Sequence, residues 1–468
     1  MAKLKLRGRD LRKIGFKDTA IIGLAMQQAH QYWKRYKRDE ALDILRSLLE
    51  NPEDFLDDPA MHPVAEMMMP SEEPRYEEIS LNEQVLGYKT YGGKGIDTMA
   101  KQQMNTAMRL PIVKAGALMS DAHGGYGLPI GGVLATENKV IPYGVGVDIG
   151  CRMCLTVYPL ETNYLKQHHK MLQTMLKANT KFGMKEVFDD PMTDLPIFER
   201  NAFKEIKLVR DLKDKAYKQM GSSGGGNHFV EFGEVTLEKG NDLGVKAGKY
   251  VGILSHSGSR GLGANIAQYY TRVAMDTCRL PKGAKNLAWL DLDSEAGQEY
   301  WLAMNLAGDY ASACHHDIHR RLGLALGEQP LVMIENHHNF AWKEQLADGS
   351  EVVVHRKGAT PAGKGVLGII PGSMTAPGFI VRGKGSPLSI NSASHGAGRL
   401  MSRTKAKGSF TKSYLKKYLK EKGVSVIGAG IDEAPMAYKD IHKVMSYQSD
   451  LVDVIGQFLP KIVRMADD

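Results

Sequence analysis

From Asp18 onward the stretch DTAIIGLAMQQAHQYWKRYKRDEALDILRSLL sets apolar residues at helical spacing, which predicts two amphipathic helices. The stretch that follows, DDPAMHPVAEMMMPSEEPRYEE, mixes proline, methionine and acid without a clean period, so a linker is expected near residues 57–78. Beyond it come many short β-branched runs punctuated by glycine, with helical spacing returning near 164–184, 197–220, 295–325 and 412–422. This pattern predicts a small helical extension, 1–75, and a larger domain, 76–468. The larger part is expected to be α+β, with mixed or antiparallel sheets and flanking helices, although short strands alone also fit a sandwich.

Composition narrows the class. The 468 residues carry 43% hydrophobic and 24% charged side chains, the balance of a folded chain. A net charge of +8 favours a polyanionic partner, because basic surfaces attract phosphates and release counterions. Residues 1–40 hold 11 Lys/Arg against 4 Asp/Glu, so the extension is either a solvated helical appendage or an arm that docks RNA. Four cysteines are too few for a disulfide scaffold, which predicts a reducing, cytoplasmic setting. No apolar run is long enough to span a membrane, so no membrane partner is expected.

The 50 glycines gather around the chemistry. Five stretches, SDAHGGYGLPIGG (120–132), GVGVDIGCRM (144–153), GSSGGGNHFVEF (221–232), LSHSGSRGLG (254–263) and ENHHNFAW (335–342), each present a metal-binding type of side chain on a strand end or tight loop. Together Asp148, Cys151, His228, His256 and His338 make a carboxylate, thiolate and imidazole set suited to Mn, Fe, Co or Zn, with a thiolate able to bridge two ions. Cys151 and Cys154 also read as a C-x-x-C half-site, but no second C-x-x-C exists. His315 and His319, at i and i+4 in CHHDIHRR, have zinc-binding spacing without the glutamate of H-E-x-x-H, and a basic helix surface is expected there. In NSASHGAGRLMSR (391–403), His395 sits among small residues with Arg399 and Arg403 close behind. A phosphorus centre could approach that imidazole while guanidiniums hold its oxygens.

These stretches, with HRKGAT (355–360), SHGAGR and DEAPMAYKDI (432–441), occur in the order seen in RtcB-type RNA ligases, and the resemblance runs from about Gly92 to Gln457. It implies an enzyme that uses GTP and two Mn²⁺ ions to join an RNA 3′-phosphate or 2′,3′-cyclic phosphate to a 5′-hydroxyl, in RNA repair or tRNA splicing. An activating protein is a further partner compatible with the family. The metal-site positions match Asp148, Cys151, His228, His256 and His338, and the histidine that accepts guanylate matches His395. The resemblance places Asn227, Arg260 and Arg399 at the phosphates, and Glu231, Ser373 and Tyr438 at the nucleotide. Asp121 and His123 fall in another family motif, as candidates for proton transfer or for orienting ligands.

Three features depart from the family pattern. The first 70 or so residues lie outside the common core. PGSMTAPG (371–378) replaces a nucleotide-contacting serine with Gly378 or a neighbour, and the usual C-terminal V-K-G is absent, the chain ending PKIVRMADD with Met465 or Ala466 near the lysine position. Lys461 or Arg464 is the nearest substitute cation. Two other classes therefore stay open: a metal-dependent phosphoesterase of RNA ends, and a non-catalytic RNA-end-binding paralogue.

Overall fold

The computed structural model describes residues 4, 6–69, 77–183, 186–189 and 195–467, which fall into two compact units, Met1–Glu77 and Glu78–Asp468. In the first, helices Gly8–Lys13, Thr19–Tyr32, Arg38–Glu50 and His62–Met68 enclose a core that includes Leu11, Trp33, Leu45 and Leu48. Asp18 caps the second of these, its carboxylate accepting from the N–H groups of Ala20 and Ile21 at 2.7 and 3.1 Å.

The linker expected from residue 57 does not begin there. Asp58 accepts from the N–H groups of Ala60 and Met61, Pro63 sits in the first turn of His62–Met68, and Met61, Val64 and Ala65 are wholly buried. Proline in a first turn starts a helix rather than breaking one, which is why the composition misled. Residues 70–76 of the expected linker lie outside the described residues.

The second unit is α+β. Its largest sheet runs in the spatial order Leu367–Ile370, Gly378–Gly383, Val452–Met465, Phe229–Leu237, Gly248–Ser257, Arg152–Tyr158, Val332–His337, all antiparallel, and Ser425–Ile427 adds in parallel to Val452–Met465. A second sheet holds Lys89–Thr90, Val113–His123, Ile130–Thr136, Glu351–Lys357 and Asn339–Gln345. The chain crosses from the first sheet to the second at a single residue, His338, between Val332–His337 and Asn339–Gln345.

Helix Glu295–Leu326 fills the expected 295–325, capped by Ser294 at its start and by Gly327 in the left-handed region (φ 74°) at its end. Lys412–Glu421 agrees as closely with the expected 412–422, and 164–184 resolves into Asn163–Gln167 and His169–Asn179. The expected helix 197–220 is a chain of short turns, Pro196–Glu199, Ala202–Glu205, Lys207–Asp211 and Lys213–Gln219, anchored by buried Ile197 and Phe198, Phe203, Val209 and Ala216 in turn. The 18-residue helix Arg260–Thr277 was hidden by glycine, because GSRGLG reads as loop. Gly263 is instead a packing residue, where a Cβ would fall 1.8 Å from Ser259 Oγ.

Buried histidines tie this unit to pH. His355 donates from Nδ1 to the Leu134 carbonyl and accepts the Ile141 N–H at Nε2, so its neutral form is satisfied, and burial lowers its pKa to about 4. His319 is lowered to about 3 by burial and by the neighbouring charge of His316. In the unfolded chain both would titrate near the ordinary value, so below that value the unfolded state binds more protons and stability falls. Denaturant unfolding of chelator-treated protein should show full stability above about pH 6.5 and a loss approaching ~1.4 kcal/mol per pH unit per histidine as pH drops toward 4. Equal stability at neutral pH and near pH 5 would contradict the neutral, buried assignment.

Candidate metal centre and active site

Strand ends of the large sheet deliver the metal-ligand candidates to one place. Cys151 directly precedes Arg152–Tyr158, His228 directly precedes Phe229–Leu237, and His256 is the penultimate residue of Gly248–Ser257, paired in register with Met153 and Phe229. His338 joins them from the crossover between sheets, and Asp148 from the turn before Cys151. Gly258 lets that turn approach, since a Cβ there would lie 1.9 Å from Asp148 Oδ1.

The donor atoms face one another. Asp148 Oδ2 lies 2.9 Å from His228 Nε2, Cys151 Sγ lies 3.4 Å from His228 Nε2 and 3.2 Å from His256 Nε2, and the Nε2 atoms of His256 and His338 are 3.2 Å apart. They form two triads, Asp148/Cys151/His228 and Cys151/His256/His338, each with all donor atoms within 4.8 Å and sharing the Cys151 sulfur. His256 donates from Nδ1 to the Asn227 carbonyl at 3.1 Å, so its Nε2 lone pair points at Cys151 and His338. Two imidazole nitrogens and one sulfur converging at these distances make a ready set of donors for a cation.

Protonation states fit the same conclusion. Burial first, then the charge of His228, lowers the His256 pKa to about 3, and burial pushes His338 well below the ordinary range, so both rings stay neutral and able to ligate. Burial and the Asp148 charge push the Cys151 thiol up, a direction that a bound cation reverses. Burial works to raise Asp148 as well, but the His228 charge and hydrogen bond outweigh it and hold the carboxyl low. The donor set therefore suits two divalent ions of borderline softness bridged by one thiolate.

His395 stands beside this cluster, its ring centroid 4.9 Å from that of His338. The ladder of Val113–His123 with its neighbour is irregular between Leu118 and His123, and Asp121, on the irregular segment, is wholly buried behind His395. Asp121 Oδ2 accepts from His395 Nδ1 at 2.6 Å and from the N–H groups of His395 and Gly396 at 3.1 and 3.3 Å. A carboxylate with three donors fixes the proton on Nδ1 and leaves Nε2 as the free lone pair. Gly398, at φ 71°, permits the approach, because a Cβ there would meet the Asp121 carbonyl oxygen at 2.0 Å.

Both features open into one cleft of about 350 Å³. Asn227, Glu231, Ser373, Arg399 and Tyr438 line it, together with His123. Arg399 donates to the Asp432 carbonyl at 2.6 Å and to Tyr438 Oη at 3.2 Å, and Tyr438 in turn donates to Glu433. Arg260 is not on the lining: its backbone is left-handed (φ 55°) and its guanidinium donates to Ser222 Oγ and the Gly183 carbonyl. Neither substitute cation reaches the cleft, for Lys461 pairs with Glu234 and Arg464 with Asp467. Met465 and Val463 stand on the wall instead.

Comparison with known proteins gives the same core. A family model described as tRNA-splicing ligase RtcB matches residues 102–465. The RNA-splicing ligase RtcB of Escherichia coli K12 is 36% identical over 394 residues, covering 78% of this chain and 93% of its own. The chain belongs to the RtcB family. The tRNA-splicing ligase RtcB of Thermococcus kodakarensis is 29% identical over 434 residues (78% and 90%), and RtcB homolog 1 of Entamoeba dispar 32% over 414 (74% and 77%). The first 101 residues precede the part of this RtcB chain that the family model matches.

Other residues of this RtcB site escaped the sequence reading. Asn339, inside the quoted HHNF, donates to the Asp148 carbonyl and accepts from the Gly358 N–H, bracing the metal turn against the cleft wall. Glu433, inside DEAPMAYKDI, is buried and receives Arg403 and Tyr438. Lys439 donates to the carbonyls of Ser120 and Ala122, clamping the two peptides that flank Asp121.

One expectation is overturned. His315 and His319 do not form a basic helix surface but are buried against the large sheet, in a chain of hydrogen bonds. Thr156 donates to His319 Nδ1, His319 Nε2 to Ser255 Oγ, Ser255 to His315 Nδ1, and His315 Nε2 to the Ser257 carbonyl, at 2.6 to 3.1 Å. Every ring nitrogen is used, so this self-satisfied relay holds up the strand that carries His256. Cys154 Sγ lies within 4.8 Å of one ring nitrogen of each of these histidines, three residues after Cys151 in the chain, and its thiol is wholly buried.

Proposed function

We propose that this chain is an RNA ligase that seals an RNA 3′-phosphate or 2′,3′-cyclic phosphate end to a 5′-hydroxyl end, using GTP and Mn²⁺. The observation that carries the reading is His395, with Nδ1 tied to Asp121, in the same cleft as a thiolate-bridged donor set for two ions. Hydrolysis alone needs no nucleotide-accepting histidine, which disfavours the phosphoesterase.

Asp148, Cys151, His228, His256 and His338 would hold the two ions, which supply charge neutralisation at the phosphates. His395 Nε2 attacks the α-phosphorus of GTP; the new P–N bond replaces the bond to the β-phosphate oxygen, and pyrophosphate leaves. Asp121 is a positioning residue, stabilising the positive charge that builds on the ring. An oxygen of the RNA 3′-phosphate then displaces His395 from the guanylate, giving a mixed anhydride, and the 5′-hydroxyl attacks the 3′-phosphorus to release GMP. A cyclic end is first opened by water. Arg399 and Asn227 border the path of these phosphates, and Glu231, Ser373 and Tyr438 the nucleotide.

The test is direct: purified protein with Mn²⁺, GTP and two RNA strands bearing the stated ends should give the joined strand. Opened or dephosphorylated ends without joining would shift the reading to the phosphoesterase, and unchanged ends to the binding paralogue.

The cleft wall also bears on nucleotide choice. Glu231 is a buried carboxyl pushed well up by desolvation, it shares the cleft wall with Phe229, Leu254, Met374 and Met465, and among the described residues no lysine lines the cleft. A site without a lysine for the base edge loses part of its discrimination, so ATP should label the protein within about a hundredfold of the GTP rate. Competition labelling checks this, and a preference above about 10⁴ would show that Glu231 suffices alone.

A further inference from the structure

We propose that helix Lys412–Glu421 is the docking surface for the single-stranded RNA that leads into the cleft, a proposal that rests on the RNA substrate put forward above. Between Arg403 and Lys422 the chain carries Lys405, Lys407, Lys412, Lys416, Lys417, Lys420 and Lys422 against a single acid, Glu421. The fold gives this run two faces. Leu415 is buried and Leu419 packs with Val424, Met374, Val463 and Met465, and the last three of these are cleft-wall residues. The helix therefore stands one side-chain layer behind the wall, held by apolar contacts that leave its outer face free.

That outer face is predominantly cationic. Lys412, Lys416, Lys417 and Lys420 are exposed, and among the described residues none has a carboxylate partner. Lys412, Lys416 and Lys420 fall at i, i+4 and i+8, a row with about 6 Å of helix rise between neighbours. Such a row tracks a phosphodiester backbone without reading bases. Arg403, at the start of the same basic run, lines the cleft, its guanidinium donating to Asp432 and Glu433. A protein partner would need an apolar centre that this face lacks, so a polyanionic strand is the occupant its chemistry fits.

The experiment compares the full-length protein with its K412Q/K416Q/K420Q variant by fluorescence anisotropy, using a single-stranded oligoribonucleotide with a 3′-phosphate across a salt series. The variant should bind about tenfold more weakly at low salt, and its plot of log affinity against log salt should be shallower by about 2, the share of three phosphates. Tyr414→Ala, off the lysine row, should leave that slope unchanged. A K412R/K416R/K420R variant should restore both affinity and slope. Identical affinity and slope in the glutamine variant, with an unchanged melting curve, would overturn the proposal. Covalent labelling by GTP without RNA separates the two readings. A changed slope with no labelling in the parent protein leaves the docking surface standing and defeats the ligase chemistry. Labelling with an unchanged slope does the reverse.

Discussion

Replacing Cys151 by alanine should remove most Mn²⁺ binding, from up to two ions per chain to a residual fraction. The sulfur belongs to both donor triads, so one substitution leaves Asp148 with His228 on one side and His256 with His338 on the other. Two ligands rarely retain a labile divalent ion, and even outer-shell losses cost about 10–100-fold in affinity, so removal of a shared first ligand should exceed about a hundredfold at each site. Titration calorimetry or metal analysis after desalting reads the result. Unchanged stoichiometry would overturn the shared-thiolate assignment. His228→Ala belongs to one triad only and should leave the ion at Cys151, His256 and His338, so the two variants together separate a bridged pair from a single ion. The prediction does not rest on the thiol's own titration, since a bound cation dominates it.

The metal set was legible because its members share a local signature. Asp148 and Cys151 are three residues apart in a glycine-spaced turn, and His228 and His256 sit beside glycine and serine runs where strands end. Short β-branched runs broken by glycine place these residues at strand ends, and the structure brings those ends together. What the sequence could not give is direction. His315 and His319 are followed by two arginines and read as solvent-facing, but their i, i+4 face was fixed only when Glu295–Leu326 lay against the sheet. Arg320 and Arg321, from the same run, turn back to Asp317, and His316 is the member of the cluster that faces outward.

Arg260 shows the converse limit. The family resemblance puts it at phosphates; in the structure its backbone is left-handed and two hydrogen bonds hold its guanidinium at Ser222 and Gly183, contacts made by segments far away in sequence. Asn339 and Glu433 stood in plain view inside quoted motifs, but their roles depend on partners, Gly358 and Arg403, that only the fold brings near. Composition alone also started the linker too early, because the proline that seemed to break structure begins a helix.

His395→Ala should abolish covalent labelling by α-labelled GTP while leaving Mn²⁺ binding nearly unchanged. The ring is adjacent to His338 but belongs to neither donor triad, so its loss removes a nucleophile and not a ligand. Losing a covalent nucleophile closes the reaction path instead of weakening one contact along it. In the parent protein the adduct should be labile in acid and stable in alkali, the behaviour of a phosphorus–nitrogen bond. Asp121→Asn is the informative companion. It keeps the side chain's shape at the 2.6 Å contact but removes the charge that opposes the imidazolium and can present an N–H to Nδ1, favouring the wrong tautomer. By analogy with other carboxylate–histidine pairs, labelling should then slow by as much as about 10⁴-fold without vanishing. Raised pH should not rescue it, because the defect is the ring's orientation and tautomer and not its charge. Labelling that persists in His395→Ala would transfer the nucleophile's role elsewhere in the cleft, while equal rates for Asp121→Asn and the parent would show that the buried carboxylate holds the loop and not the ring.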